Sequence, residues 1–249
     1  VSRSETGPSI AFLGSGEFEP WSAPVDRWLL DRSRNPGGTV LVSPAAAAHE
    51  GEASFSAWGA KGLEHYSAMG VPAEVLPLRT REDAHREDVV RRLDDASLVY
   101  FSGGNPWRLA ETLRDTPFWT ALCAALSEGL PYAGCSAGVA CLTERTYDSD
   151  TDDLERIWKP GLGFVERALF GPHWDIVDSW IPGAKEFIVS SVRDGEVFVG
   201  LEEDTAMVGD GRSWTAMGRQ GIHVRRAGGW ATFHAGDAFE LDLPLDGRG

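Results

Sequence analysis

The chain reads as an α/β protein built on a mostly parallel central sheet with helices on both faces, its carboxyl-terminal part adding antiparallel strands. Two observations predict this. From Ile10 to Leu142, short β-rich apolar runs alternate with longer stretches of helical spacing, the form taken by buried parallel strands joined through crossover helices. Beyond about Phe187 the spacing shortens, and brief strands follow one another between Gly and Asp turns. The 249 residues, 42% apolar and 10% aromatic, suffice for one full core. No repeat or low-complexity linker divides them, so a single domain over 1–249 is expected.

In order, strands are expected at 10–13, 39–43, 73–77, 98–101 and 131–133, each a short run able to lie buried in a sheet. Amphipathic segments at 24–31, 54–69, 81–93 and 107–127 separate them. In the third, Val89, Val90 and Leu93 form one face and Arg86, Glu87, Arg91 and Arg92 the other, which makes those charges a solvated helix surface. After Tyr147, Asp148, Asp150, Asp152 and Asp153 crowd an acidic loop. Strands are then expected at 187–192, 197–201, 206–209, 214–217, 222–225 and 230–233, with tight turns at Arg193-Asp194-Gly195 and Gly209-Asp210-Gly211.

Charge narrows the function. With 38 acidic residues against 23 basic, the formal net charge of −15 repels phosphate backbones, so nucleic acid is not an expected partner. The three cysteines, Cys123, Cys135 and Cys141, have neither a disulfide-framework nor a metal-ligand spacing. The polar opening of the chain leads into an apolar run too short for a secretory core or a membrane span. A cytoplasmic location without membrane association is therefore expected.

Two strand ends carry the chemistry. Tyr132-Ala133-Gly134-Cys135-Ser136-Ala137-Gly138 fits Gly-x-Ser-x-Gly where a buried strand meets a helix. A nucleophile elbow needs small residues two before and two after the nucleophile, because the central residue sits in a strained turn with its side chain above the sheet. Centring instead on Cys135 would put the β-carbons of Ala133 and Ala137 in that turn, which favours Ser136. Tyr100-Phe101-Ser102-Gly103-Gly104-Asn105-Pro106 is a second strand end, whose Gly-Gly turn frees main-chain N–H groups to face a developing oxyanion. Gly14-Ser15-Gly16 is not a dinucleotide loop: the third glycine position is Glu19, and Glu17 places negative charge where a pyrophosphate would lie. Phe18-Glu19-Pro20-Trp21 is read as a loop over the sheet's carboxyl edge.

Six histidines are available as base. His65, His85, His223 and His234 fall in helical or strand patterns, and His49 ends an alanine-rich loop able to line a site. His173 stands apart in Gly171-Pro172-His173-Trp174, a rigid turn beyond the elbow with an aromatic beside it.

Taken in order, Ser102-Gly103-Gly104-Asn105, the Tyr132 to Gly138 segment, Gly161-Leu162-Gly163-Phe164 leading to His173, and Gly200-Leu201-Glu202-Glu203-Asp204-Thr205-Ala206 resemble the cyanophycinase and aspartyl-dipeptidase (peptidase E) family of serine peptidases. The resemblance runs from Ala11 to about Val224 and implies a class I glutamine-amidotransferase-like fold. It further implies Ser136 as nucleophile, His173 as general base and then acid, Glu203 as the carboxylate orienting the imidazole, and Gly104 and Ala137 N–H groups as oxyanion donors. Asp148 and Asp150 occupy the window of an alternative acid, while Glu202 is expected to face away. Gly103, Asn105 and Trp174 are the expected substrate-binding residues. A homodimer is expected from the resemblance alone, and no cofactor or metal.

The chain departs from the family where arginines past the histidine read an acidic or β-aspartyl substrate. From His173 to Trp180 there is no arginine, and Lys185 is the one cation close by. A bound carboxylate needs a fixed cation or oriented donors. The expected substrate is therefore a small peptide or peptide-like amide, in a pocket made apolar by Trp174, Trp180 and Trp158. The alternatives are a catalytically silent binding or scaffold member of the fold, with Ser136 and His173 apart or Trp174 plugging the site, and an α/β-hydrolase esterase. The esterase would need its acid before the histidine, contrary to the order Ser136, His173, Glu203.

Overall fold

The computed structural model describes residues 8–151, 153–154 and 156–245; Asp152, in the acidic loop, lies outside them. The strands are β1 (Ile10–Leu13), β2 (Thr39–Ser43), β3 (Ala73–Val75), β4 (Ala96–Phe101), β5 (Tyr132–Cys135), β6 (Arg145–Tyr147), β7 (Trp158–Pro160) and β8 (Ala168–Pro172). They continue with β9 (Val197–Leu201), β10 (Thr205–Gly209), β11 (Ser213–Gly218), β12 (Gly221–Arg226), β13 (Gly229–His234) and β14 (Ala238–Glu240). The helices are α1 (Ala23–Leu30), α2 (Glu52–Met69), α3 (Glu87–Val90), α4 (Pro106–Leu113), α5 (Pro117–Ser127), α6 (Ala137–Ala140), α7 (Val177–Trp180) and α8 (Ala184–Ser190).

Eight strands form the central sheet in the order β14-β11-β10-β1-β5-β4-β2-β3. The five strands from β1 to β3 in that order run parallel, and β10, β11 and β14 join antiparallel beside β1. Both faces are covered because alternate residues point to opposite sides. Ile10, Phe12, Val99, Phe101 and Tyr132 pack with Leu109 of α4 and Phe118 and Leu122 of α5. Ala11, Leu13, Val42, Tyr100 and Cys135 pack on the other side with Val25 and Leu29 of α1 and Tyr66 of α2.

A second sheet, β13-β12-β9-β8, stands beside the first, and β8 and β9 are parallel neighbours whose last residues, Pro172 and Leu201, are in register. Whatever follows β8 and β9 must therefore emerge at one edge, which is where His173 and Glu203 stand.

Three expectations are corrected. The segment 187–192 is not a strand: α8 occupies it, begun by an amide of Lys185 donating to Asp178 Oδ1 (2.8 Å) and continued by Phe187 N–H donating to the Gly183 carbonyl. The stretch 81–93 is α3 flanked by two 3-10 turns, because Arg86 is extended (φ −78°, ψ 127°) and Asp83 accepts the amides of Arg79 and Thr80. The stretch 107–127 is two helices, broken at Asp115 (φ 56°) and restarted by the Thr116 cap with Pro117 in the first turn.

Candidate active site

Ser136 follows β5 with φ 49° and ψ −103°, a region that non-glycine residues rarely occupy. The strain is held on both sides. Ser136 N–H donates to the Leu13 carbonyl of β1 (3.0 Å), and its own carbonyl accepts from Val139 and Ala140 as α6 begins. Gly134 and Gly138 are required by contact: a β-carbon on Gly138 would lie 2.5 Å from the Phe101 carbonyl oxygen, and one on Gly134 would overlap the Gly138 carbonyl. Tyr132 fastens the same turn by donating its hydroxyl to Gly138 O (2.6 Å).

His173 leaves β8 with φ 54°, and Ile176 and Val177 N–H donate to its carbonyl. Glu203 lies between β9 and β10, its amide donating to Asp175 Oδ1 (2.9 Å). His173 Nε2 is 2.9 Å from Ser136 Oγ and Nδ1 is 3.1 Å from Glu203 Oε1. Three side chains from three strand ends thus form one continuous chain of hydrogen bonds. Glu202 turns the other way, to His223 Nε2 (2.9 Å) and the Gly221 amide. Asp148 accepts from Asn105 Nδ2 (2.8 Å) and the Asp150 amide, and Asp150 pairs with His49, so neither aspartate is bonded to His173.

Ala137 is the first residue of α6, so its N–H has no acceptor within the helix. Gly104 takes φ 139°, and a side chain there would collide with the Ala46 carbonyl. Among the described residues neither amide has a hydrogen-bond acceptor; Gly104 lies in the loop after β4 and Ala137 opens α6 after β5.

A cavity of about 740 Å³ opens over Ser136 and His173, with Gly103 and Gly104 in its wall. Trp58, Tyr147, Ile157, Trp158, Trp180 and Phe187 make most of it apolar. Trp180 rests on the His173 ring, centroids 4.9 Å apart. Two expected substrate-binding residues do not line it. Asn105 caps α4 by accepting from Trp107 and Arg108 amides, and its remaining amide group is spent on Asp148. Trp174 is buried against Phe198 and stacked near Trp230, its amide donating to the Leu201 carbonyl, and it is not part of the cavity wall. It therefore does not plug the site.

Glu17 was visible in the sequence only as an obstacle to a phosphate. It lines the cavity, 5% exposed, with Oε1 accepting from Gly103 N–H (2.8 Å) and Oε2 from Cys135 Sγ (2.9 Å). Burial, reinforced by that carboxylate, holds the Cys135 thiol well above its ordinary pKa, so no thiolate is available at the elbow. A carboxylate directly after a glycine turn at the carboxyl end of the first strand was the signal for Glu17. Val177, Ile181 and Ile188, also in the wall, belong to the α7–α8 segment, whose end from Phe187 the sequence suggested as a strand.

Residues 10–217 match the family model for peptidase family S51. The chain belongs to that family. As an S51 member it is a serine peptidase. It is similar to the cyanophycinase of Nostoc sp. (strain PCC 7120), 21% identical over 216 residues that cover 84% of this chain and 70% of that one. It is also 47% identical to peptidase E of Streptomyces coelicolor over 92 residues, 35% of this chain and 36% of that one. Among solved structures, a peptidase from an acI-B1 Actinobacterium superposes with a TM-score of 0.85 at 28% identity, covering 96% of this chain and 99% of that one. A putative peptidase E from Listeria monocytogenes EGD-e shares the fold with a TM-score of 0.61 at 18% identity, covering 86% and 100%. Within the S51 fold the elbow, the histidine and the glutamate of this chain all stand at one sheet edge, and no helix among the described residues is long and apolar enough to cross a membrane.

Proposed function

We propose that this S51 peptidase cleaves an amide bond in a small peptide or peptide-like substrate through an acyl-enzyme at Ser136. The single observation that carries this is the relay from Glu203 Oε1 through both nitrogens of His173 to Ser136 Oγ, with separations of 3.1 and 2.9 Å. A serine hydroxyl is a poor nucleophile at its free pKa, so a base must take its proton as attack proceeds. His173 Nε2 is within reach to do so, and Glu203 holds Nδ1 protonated and stabilises the imidazolium.

The Ser136 oxygen adds to the carbonyl carbon, and the resulting oxyanion takes the Gly104 and Ala137 N–H groups, worth about 3 kcal/mol for a good donor. His173 then gives its proton to the departing amine as the carbon–nitrogen bond breaks. Water, losing a proton to His173, opens the ester and frees Ser136. The strained backbone at Ser136 supports this reading, because a turn that costs on the order of 1–3 kcal/mol persists where the surroundings over-determine it. A cavity of about 740 Å³ suits a short peptide rather than a folded protein. A silent scaffold is disfavoured by the closeness of Ser136 to His173 and by Trp174 lying outside the cavity.

The test is labelling by a fluorophosphonate together with hydrolysis of a dipeptide panel. Labelling of folded wild type at Ser136, lost in Ser136→Ala along with hydrolysis, is expected. Equal hydrolysis by Ser136→Ala and wild type would overturn the assignment.

A further inference from the structure

Resting on the serine-peptidase reading, we propose that the acyl-donating residue of the substrate is apolar and carries a free α-ammonium, which Glu17 receives. The cavity provides two different environments. Its wall is aromatic and aliphatic, with Tyr147, Ile157, Trp158, Trp180, Ile181 and Phe187 at the core of it, and among the described residues no lysine or arginine lines it. The cations beside it stand behind aromatic rings or on backbone carbonyls, Lys61 lying over the Trp58 ring at 4.7 Å from its centroid. Arg145 donates to Glu196 and to the Ser191 carbonyl while lying over the Trp158 ring. Lys185 donates to the Asp175 carbonyl (3.2 Å) and sits over Trp174. A substrate carboxylate would lose its water in this cavity without gaining a cation, and an apolar side chain would lose nothing.

The other environment is one buried carboxylate beside the nucleophile. A methyl group built on Gly103 would lie 3.2 Å from Glu17 Oε1 and 3.6 Å from Ser136 Cβ, so Glu17 and the attacking residue flank the same glycine. Each Glu17 oxygen accepts one hydrogen bond, from Gly103 N–H and Cys135 Sγ, and a carboxylate has about four acceptor sites, which leaves room for a further donor at each oxygen. A negative charge so near a developing oxyanion opposes the reaction unless the substrate brings a compensating cation. The group that can supply it at this distance is attached one carbon from the scissile carbonyl, which is where an α-ammonium stands. A distal side-chain amine would be held several bonds further into the apolar wall. The net charge of −15 favours approach of a cationic end over an anionic one.

The experiment compares Leu-Leu, Phe-Leu, Asp-Leu and N-acetyl-Leu-Leu as substrates of the full chain, with product release followed by mass spectrometry. Leu-Leu and Phe-Leu are expected to be cleaved, with kcat/KM at least ~100-fold above N-acetyl-Leu-Leu, which lacks the buried charge pair, and above Asp-Leu, whose side-chain carboxylate is desolvated without a cation. In Glu17→Gln the ratio between Leu-Leu and N-acetyl-Leu-Leu is expected to fall to about tenfold or less, through KM for the free amine. If Glu17 only positions the Gly103 loop, both substrates drop together and the ratio stays, which overturns the proposal. Should Glu17→Gln not fold, as judged by its thermal melt, the wild-type ratios decide alone. Equal cleavage of acetylated and free peptides, preference for Asp-Leu, or no cleavage of any of the four while Ser136 still takes a fluorophosphonate, overturns this inference and leaves the serine-peptidase reading standing. Absence of both labelling and cleavage removes both.

Discussion

Replacing Glu203 by glutamine isolates the carboxylate charge from the geometry around it. Glu203 Oε1 lies 3.1 Å from His173 Nδ1, and the Glu203 side chain is 36% exposed. At that separation a carboxylate and an imidazolium attract by about 1 kcal/mol in water and about 5 kcal/mol at an effective dielectric near 20. Partial exposure places the pair between these limits, near 3 kcal/mol, which is roughly a hundredfold in rate. This is less than the ~10⁴ loss seen when the buried acid of a serine-protease triad becomes an amide. Glu203→Gln is thus expected to lower kcat about a hundredfold on any dipeptide the wild type cleaves, with KM nearly unchanged and the folded state intact by circular dichroism. Glu202→Gln, whose partner is His223, and Asp148→Asn, whose partner is Asn105, serve as controls. A Glu203→Gln enzyme within twofold of wild type, with Asp148→Asn down a hundredfold, would refute the assignment and transfer the role to Asp148.

Four further outcomes follow from packing and burial. Gly138→Ala forces a β-carbon to within 2.5 Å of the Phe101 carbonyl, so the elbow must shift at a cost of about 1–3 kcal/mol, read as a lowered melting temperature together with loss of Ser136 labelling. Asp26, fully buried, accepts from Tyr66 Oη (3.1 Å) and pairs with His65 Nε2 (2.7 Å), and Asp26→Ala, which leaves both partners unsatisfied, should cost about 2 kcal/mol or more in a denaturant titration. Burial raises the Asp26 carboxyl above its ordinary pKa despite those bonds, so its contribution is fully present below the unfolded pKa and lost as pH rises through the folded one. Asp26→Asn lacks that loss, so its stability relative to wild type should rise from acid toward neutral pH, and a pH-independent difference would contradict this. Cys135, buried and held protonated beside Glu17, should resist iodoacetamide in the folded chain and react only after denaturation, as followed by peptide mass mapping.

The parallel half of the fold was legible because its strands are buried on both faces: Ile10 to Leu13 and Val40 to Val42 show water almost nothing, and continuous apolar runs of that length mark such strands. The second sheet was harder. Ala168–Pro172 is buried throughout like β1, yet Gly171 and Pro172 interrupt its apolar pattern and were read with His173 and Trp174 as a turn. Phe187, Ile188 and Val189 favour a strand by intrinsic preference, and the helix there wins through tertiary contacts, since Phe187 stacks on Trp158 and Ile188 packs in the same cluster. Ser136 is marked in the sequence by Gly134 and Gly138, whereas the roles expected of His173 and Glu203 came from the resemblance of the ordered motifs. Glu17 could not be named, because its meaning depends on Gly103 and Cys135, which the sheet order β1-β5-β4 brings together across the sequence. Asn105 and Trp174 misled for the converse reason. They adjoin site residues in sequence, while a helix cap and a buried aromatic cluster claim their side chains.

The central claim is that one oxygen forms a covalent bond to the substrate. Acid-quenching the enzyme during turnover of a slow-leaving amino-acid ester, followed by intact-mass and peptide mass spectrometry, reads that bond directly. An acyl adduct on Ser136 that accumulates in the wild type and is absent from Ser136→Ala is the predicted result. An adduct on Cys135, or turnover with no adduct on the Ser136 peptide at any quench time, would contradict it.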